Sequence, residues 1–479
     1  MNRAQALERL ASERFDVLVI GGGATGLGCA LDAASRGYTT ALIEEYDFAK
    51  GTSSRSTKLI HGGVRYLRQG NIALVREALH ERSLLLQNAP DYVHPLPFFV
   101  PVSGALESGY YSAGLKIYDA LAGASRLPKS RSAAGGVVYW DAQFDDSRLA
   151  IALARTAWSH GAAVANYVRA PQFHYTGDRL AGVRAHDVEA DRHFTVAARA
   201  VINATGIFAD QLRLLDDRRR AHPALTYSRG SHITVDKAFL PDPGRAILVP
   251  KTADGRVLFA IPWHECALIG TTDVPAAYPE IEPVPSQDEV EFLLRTSAPY
   301  LSAPPRRADI RSAFAGLRPL IARRTANTAT LSREHSIEIS PSGLVTVCGG
   351  KWTTYRCMAK DAIDAAIRTA GLAPARCATA LLALDADAAP AEFNERVAYA
   401  ASHEMARTVE DMLARRTGVL FRDAAAAEQQ APGAARVLAQ ALGRTGAWAA
   451  EQERAFAALV RQYGRYGLGE SGAEAKSPS

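Results

Sequence analysis

Three glycines close to the start of the chain give its clearest chemical signal. Gly21, Gly23 and Gly26 have the spacing G-x-G-x-x-G and follow an apolar run at 15–20. Gly21 would form a tight turn, Gly23 would let the backbone approach a pyrophosphate, and Gly26 would let a helix pack closely on a strand. The spacing therefore predicts a site that binds dinucleotide phosphates at the positive end of a helix beginning near Ala24.

Two predicted strands and one helix must position this turn. The strands are 15–20 and 39–43, the helix is 24–36, and Glu44 closes the second strand. A carboxylate in that place, eighteen residues after Gly26, can accept hydrogen bonds from the ribose hydroxyls of adenosine. The alternative is an ordinary glycine-rich loop, which requires neither strand.

Later segments return to the same alternation of strands and helices between inserted stretches. The patterns predict a helix at 145–161 and strands at 163–170 and 198–204, the last followed by a turn that ends at Gly206. The stretches 95–140 and 225–338 are typical of short antiparallel strands. From 378 onward the chain is alanine-rich, with helices predicted at 404–419 and 434–442.

Composition sets the outer limits. A chain of 479 residues predicts two or three domains, and its net charge of +5 with 22% charged residues lacks the dense basic run of a nucleic-acid-binding protein. Five scattered cysteines without metal-ligand spacing favour a reducing, cytoplasmic compartment. The sequence has no apolar run of about twenty residues, so no bilayer span is expected, although peripheral attachment to the cytoplasmic face of an inner membrane stays open.

The block at 52–67 carries a resemblance to a known family. Its sequence, TSSRSTKLIHGGVRYL, resembles the FAD-dependent glycerol-3-phosphate dehydrogenases of the glycine-oxidase-like flavoprotein class. The resemblance continues in order through the segments DDSRL at 145–149, NATG at 203–206, GSHI at 230–233, IGTTD at 269–273, GLRPL at 316–320, SR at 332–333 and GGKWTTYR at 349–356.

The resemblance implies an α/β fold with three domains. A discontinuous, Rossmann-like FAD-binding domain would comprise 15–95, 145–220 and 340–375. An inserted, mainly antiparallel β domain for the substrate would comprise 96–144 and 221–339, and a helical C-terminal domain 385–470. That last domain looks shorter than in the larger members of the family.

The cofactor implied is FAD. Reduced flavin carries negative charge near N1 and O2, so backbone donors at a helix N-terminus are expected beside it, and Gly349-Gly350-Lys351 before a predicted helix at 353–370 would supply them. The expected cofactor-binding residues are Gly21, Gly23, Ala24, Thr25, Gly26, Glu44, Glu45, Thr52, Ser53, Ser54, Lys58, Leu59, His61, Gly62, Gly63, Val168, Ala204, Gly206, Gly350, Lys351, Thr353 and Thr354. For the segment 53–63 the alternative is a solvated Ser/Thr loop.

The substrate implied is sn-glycerol 3-phosphate, oxidised to dihydroxyacetone phosphate. The resemblance makes Arg318 and Arg333 the phosphate ligands, since two guanidinium groups can chelate a phosphate dianion. Removal of the hydroxyl proton needs a base, and His232 is the leading candidate because imidazole titrates near neutrality. Lys351 is the competitor, as a residue that orients the substrate or stabilises its oxygen, and His61 is third.

The electron acceptor and the partners follow less directly. The sequence lacks the insertion of the oxygen-using oxidases of this class, which favours a dehydrogenase that passes electrons to quinone. The stretch 98–118, rich in apolar and aromatic residues, is either a membrane-surface segment or a buried part of the substrate domain. A homodimer is compatible with the sequence. The alternatives are an oxidase or dehydrogenase of an amine or 2-hydroxy acid, a non-catalytic flavin-binding protein, and an NAD-dependent enzyme.

Overall fold

The computed structural model describes residues 1–68, 70–123, 127–217, 224–250, 252, 257–321 and 335–464. The helices in these ranges are α1 Arg3–Ser12, α2 Ala24–Ser35, α3 Val64–Arg68, α4 Ile72–Asn88, α5 Ala105–Leu121, α6 Asp146–Ser159, α7 Ala209–Asp216, α8 Gln287–Ser297, α9 Tyr355–Ala370, α10 Phe393–His403, α11 Val419–Arg422, α12 Ala424–Ala441 and α13 Gly446–Gly464. The strands are β1 Arg14–Ile20, β2 Thr40–Ile43, β3 Leu59–Ile60, β4 Val93–Pro101, β5 Arg131–Ala133, β6 Gly136–Phe144, β7 Ala163–Ala165, β8 Val168–Thr176, β9 Arg179–Asp187, β10 Arg192–Asn203, β11 Leu225–Asp236, β12 Ala246–Val249, β13 Leu258–Trp263, β14 Cys266–Gly270, β15 Val274–Ala276, β16 Ser312–Ile321, β17 His335–Ile339 and β18 Leu344–Gly349.

One sheet, here called the nucleotide sheet, is built around β1. Its order is β17-β18-β10-β1-β2-β7, and the strands from β18 to β7 are parallel. β1 is buried over four consecutive residues at its end, as expected for a central strand covered on both faces. The helix α2 packs between α6 and α9, and β8 and β9 extend β10 as an antiparallel meander.

The glycine turn joins β1 to α2, as the sequence predicts. Gly21 has a φ of 110°, and a Cβ on it would lie 2.6 Å from the carbonyl oxygen of Ala204 at the end of β10. A Cβ on Gly26 would collide with the carbonyl oxygen of Gly21. Both positions therefore require glycine for steric reasons, the first for the turn and the second for the close contact of helix and strand.

A second sheet, here called the substrate sheet, is mainly antiparallel. Its order is β15-β11-β14-β13-β12-β4-β6-β3, with β16 paired to β11 and β5 to β6. The long pairing of β11 with β16 sets His232 opposite Phe314 and Ser228 opposite Arg318. This register brings two of the predicted site residues onto neighbouring strands.

The C-terminal helices pack against the substrate sheet. Phe421, Val460 and Tyr463 share one apolar cluster with Phe314 of β16 and Phe98 of β4. The fold class is therefore confirmed: a Rossmann-like α/β part, a mainly antiparallel β part and a helical C-terminal part. Among the described residues we find no helix that is long and apolar enough to cross a bilayer.

The helix predicted at 404–419 is wrong in its first part, at 404–408, and the helical residues of that range lie mostly at 409–416. The helix α10 ends at His403, Met405 has a φ of 56°, and the next regular turns are a π-helix at Asp411–Arg416. Buried ion pairs, and not the helical spacing of the apolar residues, determine the backbone conformation here. Both Arg415 and Arg416 donate to the fully buried carboxylate of Asp47, at 2.6 and 2.7 Å, in the loop that follows β2.

Candidate active site

The candidate active site is a cavity of about 750 Å³ between the segment 52–67, the substrate sheet and the turn before α9. Its walls hold His232, Arg318 and Lys351, the three residues to which the sequence assigns a catalytic role. Those lining it include Thr52, Arg55, Thr57, Leu59, His61, Gly63, Tyr66, Gly230, His232, Phe259, Thr271, Gly316, Arg318, Gly349, Gly350, Lys351 and Thr353.

The dinucleotide turn lies beside this cavity. A residue of another segment caps the N-terminus of α2: the backbone N–H of Ala24 donates to Ser53 Oγ at 2.9 Å. Thr25 lies in the first turn of α2, where N–H groups lack intrahelical acceptors. A Cβ on Gly23 would lie only 3.0 Å from Ser53 Oγ. The glycine cradle and the helix end thus fit a pyrophosphate.

Glu44 lies at the end of β2, as predicted. Its Oε2 accepts a hydrogen bond from the N–H of Gly22 at 2.5 Å, and its Oε1 accepts one from Tyr46. Burial raises the pKa of Glu44 to about 7, although the two backbone hydrogen bonds lower it. The N–H of Val168 donates to the carbonyl of Glu44 at 2.8 Å, which places both residues at one edge of the nucleotide sheet.

Two other residues predicted to bind the cofactor, Glu45 and Lys58, have side chains in less favourable positions for that contact. The carboxylate of Glu45 is half-exposed and lies 3.5 Å from Arg169. The side chain of Lys58 does not reach the cavity: its ammonium donates to Asp146 at 2.6 Å and to the carbonyl of Ser54, and it is 1% exposed. Contact between the Lys58 side chain and a cofactor would require breaking this buried ion pair.

The end of β10 supplies backbone close to the glycine turn. The N–H of Ala204 donates to the carbonyl of Ile20 at 2.9 Å. Gly206 has a φ of 59° and begins a short 3-10 turn at Gly206–Phe208. Ala204 therefore lies against the glycine turn, and the assignment of both residues to the cofactor stays a prediction.

The segment 52–63 is fixed by hydrogen bonds to three distant elements. Thr52 Oγ1 donates to the carbonyl of Leu317 on β16, and Trp352 Nε1 donates to the carbonyl of Ser53. The N–H of Gly62 donates to the hydroxyl of Tyr118. Thr52, Leu59, His61 and Gly63 line the cavity, whereas Ser53, Ser54, Lys58 and Gly62 lie behind its wall.

His232 is buried in the cavity wall. Its Nε2 forms a hydrogen bond of 2.9 Å with Thr57 Oγ1, and its ring stacks on Phe314 with the centroids 5.0 Å apart. A Cβ on Gly270 would collide with the ring. Burial lowers the pKa of His232 well below its usual value, and the charges of Arg318 and Lys58 lower it further. The imidazole is therefore neutral at neutral pH.

Arg318 holds its guanidinium at the cavity surface. It donates to the carbonyl of Thr272 at 3.2 Å and to Thr271 Oγ1 at 3.1 Å, and lies 3.9 Å from Asp273. Its head group packs on Gly230, where a Cβ would collide with it. Arg333, its predicted partner, is outside the described residues, so the pairing of these two arginines stays a prediction.

The turn before α9 has the form that the sequence predicts. Gly349 and Gly350 have φ values of 76° and 79°, and a 3-10 turn at Trp352–Thr354 leads into α9. The ammonium of Lys351 lies 4.5 Å from the ring centroid of Tyr66. The hydroxyl of Thr353 donates to the carbonyl of His61 at 3.5 Å, and that of Thr354 donates to the carbonyl of Lys351. A helix N-terminus therefore faces the cavity.

Sequence reasoning missed two residues of the cavity wall, Arg55 and Thr57. The guanidinium of Arg55 is buried, donating to Glu282 at 2.7 Å and to the hydroxyl of Tyr463 at 2.8 Å. Thr57 bonds His232, as described above. Both lie inside the 52–67 block. Their position next to residues already assigned to the cofactor is the sequence signal that could have identified them. The charge of Arg55 is paired with Glu282, so Arg318 and Lys351 are the cationic groups of the cavity wall that favour an anionic ligand.

Comparison with known proteins agrees with this geometry. The sequence model of the family described as "FAD dependent oxidoreductase" matches residues 16–364, and that of the "C-terminal domain of alpha-glycerophosphate oxidase" matches residues 368–453. The chain is 44% identical over 402 residues to the mitochondrial glycerol-3-phosphate dehydrogenase of Homo sapiens, an alignment that covers 77% of this chain and 55% of that protein. The chain thus spans about half the length of the curated relatives it matches.

Solved structures show the same arrangement. A glycerol-3-phosphate dehydrogenase from Bacillus halodurans, complexed with FAD, superposes with a TM-score of 0.77 at 28% identity, covering 96% of this chain and 97% of that one. The L-alpha-glycerophosphate oxidase of Mycoplasma pneumoniae with FAD bound, at 16% identity and a TM-score of 0.57 over 75% of this chain and 96% of that one, shares the fold. The chain therefore belongs to the FAD-dependent oxidoreductase family, and its resemblance to the glycerol-3-phosphate dehydrogenases of that family is confirmed.

Proposed function

We propose that this protein oxidises sn-glycerol 3-phosphate to dihydroxyacetone phosphate with FAD as its cofactor. The observation that carries the proposal is that one cavity brings together a neutral buried imidazole, His232, with the cationic groups of Arg318 and Lys351 and the N-terminus of α9. The names of the relatives support the same substrate.

The phosphate of the substrate would be bound by arginine. Arg318 has donors at the cavity surface, and its packing on Gly230 limits the directions in which its guanidinium can point. Arg333 would add a second guanidinium. Charge-assisted hydrogen bonds of this kind contribute about 1.5–3 kcal/mol each, enough for two of them to favour the phosphorylated substrate over free glycerol by roughly a hundred- to ten-thousandfold.

His232 would accept the proton of the C2 hydroxyl. A base that is still protonated at the working pH cannot take a proton, and the low pKa of His232 keeps its ring neutral. FAD, when bound, supplies the acceptor for the hydride that leaves C2, at the flavin N5 atom. Lys351 would stabilise the negative charge that develops on the substrate oxygen, and the backbone N–H groups of the 350–353 turn would stabilise charge on the cofactor.

The decisive experiment is the anaerobic addition of glycerol 3-phosphate to the purified yellow protein. Loss of the oxidised flavin absorbance is expected with glycerol 3-phosphate, and not with glycine, lactate or free glycerol. Bleaching by an amine or a 2-hydroxy acid instead would replace the proposal with the corresponding oxidase, and an unchanged spectrum with every donor would indicate a non-catalytic flavoprotein.

Quinone is the electron acceptor that we propose, with access from a membrane surface. The helix α5 presents Leu106, Tyr110 and Ile117 to solvent, with exposed fractions of 94, 59 and 53%, and Ile72 lies half-exposed at the start of α4. Three of these side chains, those of Ile72, Tyr110 and Ile117, also line the cavity. An apolar, aromatic surface at the cavity opening suits insertion into the headgroup region of a bilayer.

Flotation with liposomes at moderate salt tests this second part. The protein is expected to float with the vesicles, and the variant Leu106→Asp, at a residue outside the cavity lining, is expected to float less while still being bleached by glycerol 3-phosphate. Wild-type protein that does not float would favour a soluble electron acceptor.

A further inference from the structure

A group of three side chains outside the cavity has the composition of a metal site. His186 at the end of β9 and His193 at the start of β10 are direct cross-strand partners in the antiparallel register. Their rings are nearly parallel, with an interplanar angle of 10° and centroids 4.3 Å apart. Directly opposed residues on one face of a sheet have Cβ atoms about 5 Å apart, so both imidazoles project from the same side of the hairpin.

The turn between these strands adds a carboxylate. Asp191 has a φ of 48°, a left-handed conformation that aspartate adopts more readily than most residues. Its carboxylate lies 2.8 Å from His186 Nε2. One ligand atom from each of His186, Asp191 and His193 lies within 4.8 Å of the other two. Metal–nitrogen bonds are about 2.0–2.1 Å long, so one ion held by all three residues would require side-chain rotations. The side chains of Asp191 and His193 are exposed, and that of His186 is 18% exposed.

The surroundings of the group allow a cation. Asp191 and His193 are exposed to solvent, and the Asp191 side chain is 90% exposed, so water can fill the remaining coordination positions. Arg169 pairs with His186 in the β8–β9 register, and its guanidinium lies 3.5 Å from the carboxylate of Glu45. The charge of Arg169 is therefore partly balanced by Glu45.

We propose that His186, Asp191 and His193 form a surface site for a divalent transition-metal ion of the Zn²⁺, Ni²⁺ or Cu²⁺ class. Two imidazoles and one carboxylate suit these borderline ions, whereas Mg²⁺ and Ca²⁺ prefer oxygen ligands alone. The site is independent of the cavity and of the oxidation of glycerol 3-phosphate.

The hairpin turn is also a junction between distant parts of the chain. Asp187 accepts a hydrogen bond of 2.6 Å from Arg3 of α1. Glu189 accepts bonds from Arg407 and from Arg444, at 2.6 and 3.1 Å, in the C-terminal part. A metal ion that joins the two strands at this turn would restrict its motion and would stabilise the docking of both termini.

Calorimetric titration of the FAD-loaded protein, prepared without a histidine tag, tests the proposal with Zn²⁺, Ni²⁺ and Mg²⁺ as separate probes. Binding of one Zn²⁺ or Ni²⁺ per chain is expected, with a rise in the thermal unfolding midpoint, and no binding of Mg²⁺. His193→Ala is expected to weaken Zn²⁺ binding at least tenfold and to abolish the thermal shift. His174→Ala, at an exposed position on the neighbouring strand β8, is the matched control and should bind as wild type.

Electron paramagnetic resonance of bound Cu²⁺ gives a second measurement that folding defects would not imitate. Coupling to two imidazole nitrogens is expected in the wild type and to one in His193→Ala. Wild-type protein without a transition-metal site, or a His193→Ala variant with unchanged affinity and two coupled nitrogens, would overturn the proposal.

Discussion

Thr57 and His232 are joined by a hydrogen bond of 2.9 Å between Oγ1 and Nε2, although 175 residues separate them in the chain. The bond links the 52–67 segment to the substrate sheet at the wall of the cavity. His232 Nδ1 is buried and makes no hydrogen bond with the described part of the chain, so Thr57 is the side chain that orients the ring there.

Thr57→Val should therefore slow flavin reduction without large loss of stability. Removal of a single hydrogen bond of this kind costs about 0.5–1.5 kcal/mol, which corresponds to a two- to tenfold decrease in the reduction rate. Stopped-flow reduction by glycerol 3-phosphate measures it. Thr57→Ser keeps the hydroxyl and should stay close to wild type; equal rates in all three proteins would exclude a positioning role for Thr57.

His232→Ala should lower turnover by about a hundredfold or more while flavin stays bound. The residue supplies the proposed base and lies outside the dinucleotide turn, so the flavin absorbance per chain serves as the control. Near-normal turnover would remove His232 from this role and favour Lys351.

The low pKa of His232 also predicts how stability depends on pH. The unfolded state binds a proton near pH 6.5, whereas the folded state does so only at a much lower pH. The unfolded state thus carries more protons below about pH 6.5, and this residue lowers the free energy of unfolding progressively as the pH falls from there. Denaturant unfolding of wild type and His232→Gln between pH 8 and 5 measures the difference, and the variant should show the shallower loss.

Arg318→Ala should raise the KM for glycerol 3-phosphate by about ten- to hundredfold, because a charge-assisted hydrogen bond to phosphate is lost. Competition by inorganic phosphate should weaken in parallel. Arg245, an exposed arginine paired with Asp242, offers a matched control as Arg245→Ala. An unchanged KM in Arg318→Ala would mean that the phosphate is bound elsewhere.

The buried pair of Lys58 and Asp146 predicts a stability effect. Lys58→Met leaves the Asp146 carboxylate without its counterion and should lower the free energy of unfolding by about 3–5 kcal/mol. Lys58→Met/Asp146→Leu removes both charges and should recover much of that loss. Thermal and urea unfolding of the two variants measure this, and a single variant as stable as wild type would contradict it.

The parts of the structure that follow from local rules are predictable from the sequence. Gly21 and Gly26 are steric requirements of one turn, and the order β1, α2, β2 follows from apolar patterns within a few residues of them. The placement of Glu44 follows from the length of that unit.

Other features depend on distant partners and are not predictable in this way. The resemblance implies that Lys58 contacts the cofactor, yet its ammonium pairs with Asp146, 88 residues later. The 404–419 region has the composition of a helix, but the charges of Arg415 and Arg416 are satisfied by Asp47, which no local pattern reveals. Long-range charge pairing decides both cases.

The bonds from Arg415 and Arg416 to Asp47 have a consequence for any attempt to shorten the protein. Burial disfavours the Asp47 carboxylate, but Arg416 and Arg415 lower its pKa to about 2, so the carboxylate is ionised and paired while the C-terminal part is docked. Asp47 lies three residues after Glu44, at the edge of the nucleotide sheet. A chain cut before residue 385 would keep every glycine of the dinucleotide turn. It would leave the Asp47 carboxylate near that turn without its two arginine partners. We expect such a fragment to be recovered colourless, as the apoprotein.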